Sequence, residues 1–300
     1  MNRSTDLALA ALAPAIWGSS YIVTTQMLPD GYPLTVAMLR ALPTGLLLML
    51  ITRHLPPRDW LGKLAVLGAL NFSIFWGALF LAAYRLPGGV AAPLGAVQPL
   101  IVLLLARALL GGALHPRGVI AAIAGIFGVA LLVLDPSARL DSIGIIAALG
   151  GALSMACGVV LTRKWQPPVP ALTFTAWQLT AGGLLLLPFA VAFEPALPPL
   201  TSNHIAGFLW LGLIGAAMTY FFWFRGIERL GPAAITRFGF LSPLTAVLLG
   251  WIILGETLGP AQLAGALIVI LCMIFGGKPA RGPSDLVPKK PARSHRPSLS

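Results

Sequence analysis

Residues 85–116 read RLPGGVAAPLGAVQPLIVLLLARALLGGALHP, and residues 229–260 read RLGPAAITRFGFLSPLTAVLLGWIILGETLGP. At an offset of 144, Arg85-Leu86 meets Arg229-Leu230, Pro99-Leu100 meets Pro243-Leu244, Gly111 meets Gly255 and Pro116 meets Pro260. Further towards the N-terminus the register continues at an offset of 138. There Leu34-Thr35 meets Leu172-Thr173, and Gly45-Leu46-Leu47 meets Gly183-Leu184-Leu185. Matches this sparse that hold register over whole segments with one gap mark an internal repeat.

Composition decides what the repeated unit is. Hydrophobic residues make up 57% of the 300 residues and charged residues 10%, with mean hydropathy +0.88. Soluble domains are about a quarter charged, so this chain cannot cover a soluble surface. Ten apolar segments of helical length fall at approximately 7–28, 34–52, 64–84, 88–106, 118–134, 142–162, 170–192, 205–224, 232–254 and 260–277. Each is near the ~20 residues that cross a bilayer. The breaks carry turn chemistry, as in Pro29-Asp30-Gly31, Pro56-Pro57-Arg58-Asp59 and Pro167-Pro168. The first segment runs past Trp17 to Leu28, longer than a signal-peptide core, and is read as a retained span. The predicted fold is an all-α integral membrane protein of ten transmembrane helices. Its first repeat covers 1–139 and its second 140–277, followed by a disordered basic tail at 278–300. Five crossings per repeat is an odd number, so the second copy must lie inverted relative to the first.

Orientation follows from the basic residues. With a cytoplasmic N-terminus, sixteen of the twenty Lys and Arg fall on the cytoplasmic side, including Arg53, Arg58, Lys63, Arg163, Lys164, Arg225, Arg229 and six in the tail. Only Arg85 and Arg139 fall opposite, while Arg40 and Arg237 lie within spans. The predicted topology has both termini in the cytoplasm of a bacterial inner membrane. This placement explains the net charge of +11 without nucleic acid; membrane lipids are the contact the basic tail implies.

The ten-span, five-plus-five layout resembles the EamA-type transporters of the drug/metabolite transporter superfamily. The resemblance is carried by Trp17-Gly18-Ser19-Ser20-Tyr21 in span one, Phe240-Leu241-Ser242-Pro243-Leu244 in span nine and Leu254-Gly255-Glu256 at that span's end. It covers the chain to about Gly277 and is nearest to bacterial exporters of aromatic amino acids and methionine. The family pattern often has a Glu at the end of the fourth span, where this chain has Gly112. That departure argues against paired acids, and Glu256 is read as structural.

Polar and aromatic groups inside spans mark the expected path, because polar groups are costly there. Trp17 lies about halfway along span one and shares a helical face with Tyr21. Asn71, Phe75 and Leu79 follow one another at i+4 spacing in span three, and Tyr220 belongs to an aromatic run in span eight. Gln98-Pro99 and Ser242-Pro243 occupy equivalent places in spans four and nine. Each of these dipeptides should leave a carbonyl of the preceding turn, that of Leu94 or of Phe238, without a helical partner. These residues (Trp17, Tyr21, Asn71, Phe75, Leu79, Gln98, Tyr220, Ser242) are the expected substrate contacts, and Pro99 and Pro243 the expected hinges. Arg40 and Arg237 are possible contacts for a substrate carboxylate, although snorkelling towards an interface is the favoured reading of both.

No Asp, Glu or His lies deep in a span, so transport is expected to run without proton coupling. Cys157 and Cys272 sit in apolar runs, which argues against a disulfide framework or a metal site, and no cofactor is expected. An intramembrane enzyme would need a Gly-x-Ser-Gly nucleophile with a membrane His, or His-Glu-x-x-His; the sequence has neither. The sequence therefore predicts an alternating-access exporter of amino acids, aromatic ones and methionine first. A lipophilic-cation exporter of the same fold is the alternative. Monomer and homodimer are both compatible with the sequence.

Overall fold

The computed structural model describes residues 3–85, 94–111, 115–133, 141–255 and 258–275. The basic tail, Gly112 and Glu256 lie outside these residues. Among the described residues there are helices and turns and no strand. The helices are α1 (Arg3–Met27), α2 (Pro33–Thr52), α3 (61–85), α4 (Gln98–Leu110), α5 (Pro116–Val133), α6 (Ser142–Lys164), α7 (Ala171–Phe193), α8 (202–230), α9 (232–254) and α10 (Pro260–Phe275). Seven of these runs are long and apolar enough to cross a membrane, while α4, α5 and α10 are shorter apolar helices.

The polarity of the bundle is the reverse of a soluble protein's. Leu50, Ile146, Phe193 and Ile252 are each between 67% and 73% exposed, whereas Asn71, Thr175, Gln178 and Thr219 are fully buried. Apolar groups facing outwards all around the bundle require a lipid solvent. The chain is a multi-pass membrane protein.

Helix starts and stops follow local chemistry. Pro33 opens α2, where the missing amide costs nothing. The next two amides, of Leu34 and Thr35, donate to the two carboxylate oxygens of Glu194 at 2.6 and 2.7 Å. A carboxylate here satisfies orphan donors and the helix dipole together. Asp141 caps α6 by accepting from the Gly144 amide at 2.7 Å. Gly111 and Gly255 close α4 and α9 with φ of 69° each, a left-handed conformation that glycine adopts without penalty.

The packing maps onto itself when α1–α5 are exchanged with α6–α10. Helix α3 packs on α6 as α8 packs on α1, and α4 packs on α6 as α9 packs on α1. The equivalent helices α2 and α7 cross each other, as do α5 and α10. Two further irregularities repeat. Helix α3 contains a π-helical turn at Ala69–Ser73, and α8 contains one at Trp210–Met218, at the offset of 144. Ahead of the equivalent prolines the helices are interrupted as well. Turn residues 96–97 precede α4, and a 3-10 stretch at Thr236–Phe240 precedes Leu241–Leu254.

These interruptions change the role assigned to the prolines. Pro99 stands in the first turn of α4, and Pro243 stands in the first turn after the 3-10 stretch. The carbonyl of Leu94 accepts the Val97 amide at 3.4 Å, and that of Phe238 accepts the Leu241 amide. Neither carbonyl is left free, contrary to the sequence expectation. A proline that begins a helix has no preceding turn to break.

Candidate functional site

The largest aromatic cluster is assembled from α1, α3 and α8. Trp17 lies 4.9 Å from Tyr220 and 5.1 Å from Trp223, ring centroid to centroid. Phe72 lies 4.8 Å from Tyr220 and 5.3 Å from Trp76, with Phe224 completing the group at 5.7 Å from Tyr220. Tilted and edge-on pairs at such distances are the favoured aromatic geometries. Tyr220 and Trp223 are 2% and 1% exposed, and Trp17 is part-buried. In this conformation the rings fill the space between them. A ligand would occupy it only after α1 and α8 part.

One hydrogen-bonded chain runs along the edge of this cluster. The Trp17 indole Nε1–H donates to Thr219 Oγ1 at 2.8 Å, and Thr219 donates to the Gly215 carbonyl at 2.8 Å. The same carbonyl accepts from Arg40 Nη2 at 2.5 Å. It belongs to the π-helical turn of α8, where the widened backbone leaves a carbonyl open to extra donors. The guanidinium of Arg40 also lies over the Trp76 ring, with Cζ 5.1 Å from its centroid. Arg40 therefore turns into the bundle rather than snorkelling to an interface.

Whereas Arg40 is part-buried, Asn71 is fully buried. Its amide donates to Gln178 Oε1 at 2.8 Å and to Thr162 Oγ1 at 3.2 Å, tying α3 to α7 and α6. At the offset of 138 Arg40 corresponds to Gln178, and at 144 Asn71 corresponds to Gly215. Two equivalent ties thus exist: Arg40 to residue 215, and Gln178 to residue 71, each at a π-helical turn.

The other expected contacts are dispersed. Phe75 packs part-buried against the core that holds Trp17, whereas Leu79 is 43% exposed on the outside of α3. The π-helical turn breaks the i+4 stripe that joined them to Asn71 in the sequence. Ser242 lies where α9 crosses α1, its carbonyl 2.5 Å from where a Cβ on Gly18 would stand. Gln98 opens α4 and is part-buried. Arg237 lies over Phe238 at 5.0 Å and lines a small cavity of about 30 Å³ with Pro99, Leu103, Thr236 and Phe240. The side chain of Tyr21 lies outside the described residues.

Sequence reasoning did not single out Phe72 or Gly215. Gly215 was reachable by applying the repeat offset to Asn71; Phe72 had no distinguishing signal among fourteen phenylalanines. The ion pairs at the bundle's ends were also missed. Asp6, 5% exposed, takes Arg225 Nε at 3.0 Å and Arg229 Nη1 at 3.3 Å. Arg85, the repeat equivalent of Arg229, meets Asp141 at 3.5 Å, with both side chains about two-fifths exposed. Beside Asp6, Arg163 donates to the Glu228 carbonyl and to Gln166, closing α6 onto α8.

Three comparisons bear on this architecture. The profile of the EamA-like transporter family matches residues 5–134 and again residues 142–275. The chain is 46% identical to Protein PecM of Dickeya dadantii (strain 3937), over 89% of this chain and 90% of that one. It is 30% identical to the inner membrane transporter YedA of Escherichia coli (strain K12), over 87% of this chain and 86% of that one. A crystal structure at 19% identity superposes with a TM-score of 0.79 over 92% of this chain and 98% of that chain, a likeness of fold.

Proposed function

We propose that this chain, which belongs to the EamA-like transporter family, is an alternating-access carrier that exports amino acids, aromatic ones and methionine first. It would cross the inner membrane ten times as two inverted five-helix halves, with both termini cytoplasmic. The sixteen-to-two split of basic residues supports that orientation, and the name of YedA supports that membrane.

The observation that carries the substrate reading is the ring cluster of Trp17, Tyr220 and Trp223 between α1 and α8. Parting these helices would expose flat π faces and few charges, a surface suited to an apolar or aromatic side chain. Among the described residues, the acids within α1 and α8 stand near helix ends, as Asp6 and Glu228. A carboxylate at mid-membrane would be expected for a proton relay, so the reading is an uncoupled carrier. Aromatic faces also attract lipophilic cations, the alternative substrate class, but the Arg40 charge on Trp76 opposes a second cation there.

Uptake into proteoliposomes tests this, with labelled phenylalanine, tryptophan, methionine, glutamate and a lipophilic cationic dye, with and without a pH gradient. Saturable uptake of the first three, indifferent to the gradient, is expected. Trp17→Ala should depress that flux while expression stays intact. Gradient-dependent movement of the dye without amino-acid flux would overturn both substrate and coupling.

A further inference from the structure

We infer that Arg40 is the anion anchor of the transport site, and that what the site selects is a carboxylate on an aromatic or apolar body, with or without an α-amino group. The inference rests on the aromatic-lined site proposed above and adds the charge class of its substrate.

Arg40 is the eighth of the twenty residues of α2, inside a membrane-spanning helix. A guanidinium at the centre of a span costs roughly 2.5–3.5 kcal/mol on insertion scales, so such groups normally have a counter-charge. Here the guanidinium has the Gly215 carbonyl at 2.5 Å and the face of Trp76. Its Nε–H is sealed from solvent and has no hydrogen-bond partner. Among the described residues, ion pairs join Arg85 with Asp141, and Arg225 and Arg229 with Asp6; none of these reaches Arg40. A neutral carbonyl and a ring quadrupole leave a cation that still lacks an anion.

Other orphan groups in the bundle have compatible chemistry. The Trp223 indole N–H and the Ser20 hydroxyl are both buried without partners. Both can donate, as Arg40 Nε–H can; Trp223 packs on Trp17, and Ser20 is on the same helix as Trp17. The geometry also gives the spacing. Trp76 lies under the guanidinium and 6.3 Å from Tyr220, which is 4.9 Å from Trp17, ring centroid to centroid. Once α1 and α8 part, a carboxylate paired with Arg40 would leave a ring attached two carbons away within reach of these π faces. Bidentate pairing with a carboxylate is what a guanidinium does best. Gln178, the equivalent residue of the other half, is bonded to Asn71 and carries no charge, so the anion site exists once. An ammonium group, by contrast, meets no carboxylate beside Arg40 among the described residues, and its presence adds no ion pair with them.

The test uses full-length protein in detergent and in proteoliposomes. Tryptophan fluorescence and thermal shift are read with phenylalanine, 3-phenylpropionate and phenethylamine, first on the unmodified protein. Both carboxylates are expected to bind, 3-phenylpropionate within a few-fold of phenylalanine, and phenethylamine at least ten-fold more weakly. Binding of the amine but not of 3-phenylpropionate, or of neither, overturns the inference without any variant. Arg40→Gln should weaken both carboxylates at least ten-fold, with Arg40→Lys in between; unchanged carboxylate binding in a folded Arg40→Gln protein also overturns it. If phenylalanine flux persists in Arg40→Gln, the carrier reading stands and the anchor falls. If the unmodified protein moves 3-phenylpropionate in an Arg40-dependent manner but not phenylalanine, the amino-acid reading falls and the anchor stands.

Discussion

Replacing Gly45 or Gly183 by alanine tests the central crossing of the bundle. Helices α2 and α7, the two equivalent helices, approach each other at these glycines in a pairwise symmetric contact. A Cβ on Gly45 would stand 2.5 Å from the backbone nitrogen of Thr180, and a Cβ on Gly183 would stand 2.6 Å from the Cα of Leu42. Leu42 and Thr180 are themselves related by the offset of 138. Both distances are about 1 Å short of the ~3.5 Å at which such atoms pack. The obstacle in each case is helix backbone, which cannot swing aside, so the helices must separate. Overpacking of this kind costs about 1–3 kcal/mol, and at about 2–4 °C per kcal/mol for chains of 150–250 residues the melting temperature should fall by roughly 2–12 °C.

The assay is thermal unfolding in detergent for Gly45→Ala, Gly183→Ala, the double variant and Gly150→Ala as control. Gly150 stands in α6 with nothing within 4 Å of where a Cβ would stand, so its substitution should be neutral or stabilising by up to ~1 kcal/mol through helix propensity. Once the first alanine has parted the helices the second meets less resistance, so the double variant should lose less than the sum. The reasoning is refuted if the two crossing variants melt with the control, or if the double variant is strictly additive.

Two further outcomes are expected. Asn71→Leu removes the shorter of the two hydrogen bonds that the buried Gln178 Oε1 accepts, leaving the one from Thr162 at 3.2 Å, and should cost about 1–3 kcal/mol; adding Gln178→Leu removes both groups and should recover part of the loss in the same melting assay. At the ends of the bundle, Asp6→Asn removes a nearly buried carboxylate from two arginines and should lower stability more than Asp141→Asn, whose pair with Arg85 is exposed and worth about 0–1 kcal/mol. Equal losses in the two variants would show that burial of Asp6 adds nothing.

The membrane class and the repeat were legible in the sequence because both depend on patterns that lipid enforces over whole segments. Burying every helix in hydrocarbon requires long apolar runs, and an odd number of such runs per copy dictates inversion. The site was less legible, since it depends on where helices depart from regular geometry. Helical spacing placed Asn71, Phe75 and Leu79 on one face; a π-helical turn at Ala69–Ser73 interrupts that spacing, and Leu79 is exposed while Asn71 is buried, held by Gln178. Arg40 was read as snorkelling because it lies about two turns from the outer end of its span. Its partners are a backbone carbonyl in a second π-helical turn and an indole face, and neither can be recognised from residue type alone.

The two halves agree in geometry and differ in chemistry, and the differences fall where a transporter needs them. Each half ties its second helix to a π-helical turn in the opposite half. One tie is the neutral amide of Gln178, whose Oε1 accepts from Asn71 and Thr162 while its Nε2 has no partner; the other is the cation of Arg40, which meets no counter-anion among the described residues. Each half also begins with an aspartate facing an arginine on the other half. Asp6 is buried with two arginines, whereas Asp141 has one at longer range and in solvent. A perfectly symmetric molecule would have equal affinity for its two openings and no preferred charge in its centre. Here the Asp6 end carries the shorter and more buried ion pairs, and a cation stands at residue 40 where the equivalent residue 178 is neutral. A ligand carboxylate at Arg40 would add interaction energy wherever α2, α3 and α8 come together around it. Only such a difference in affinity between two conformations lets a substrate shift the balance between them.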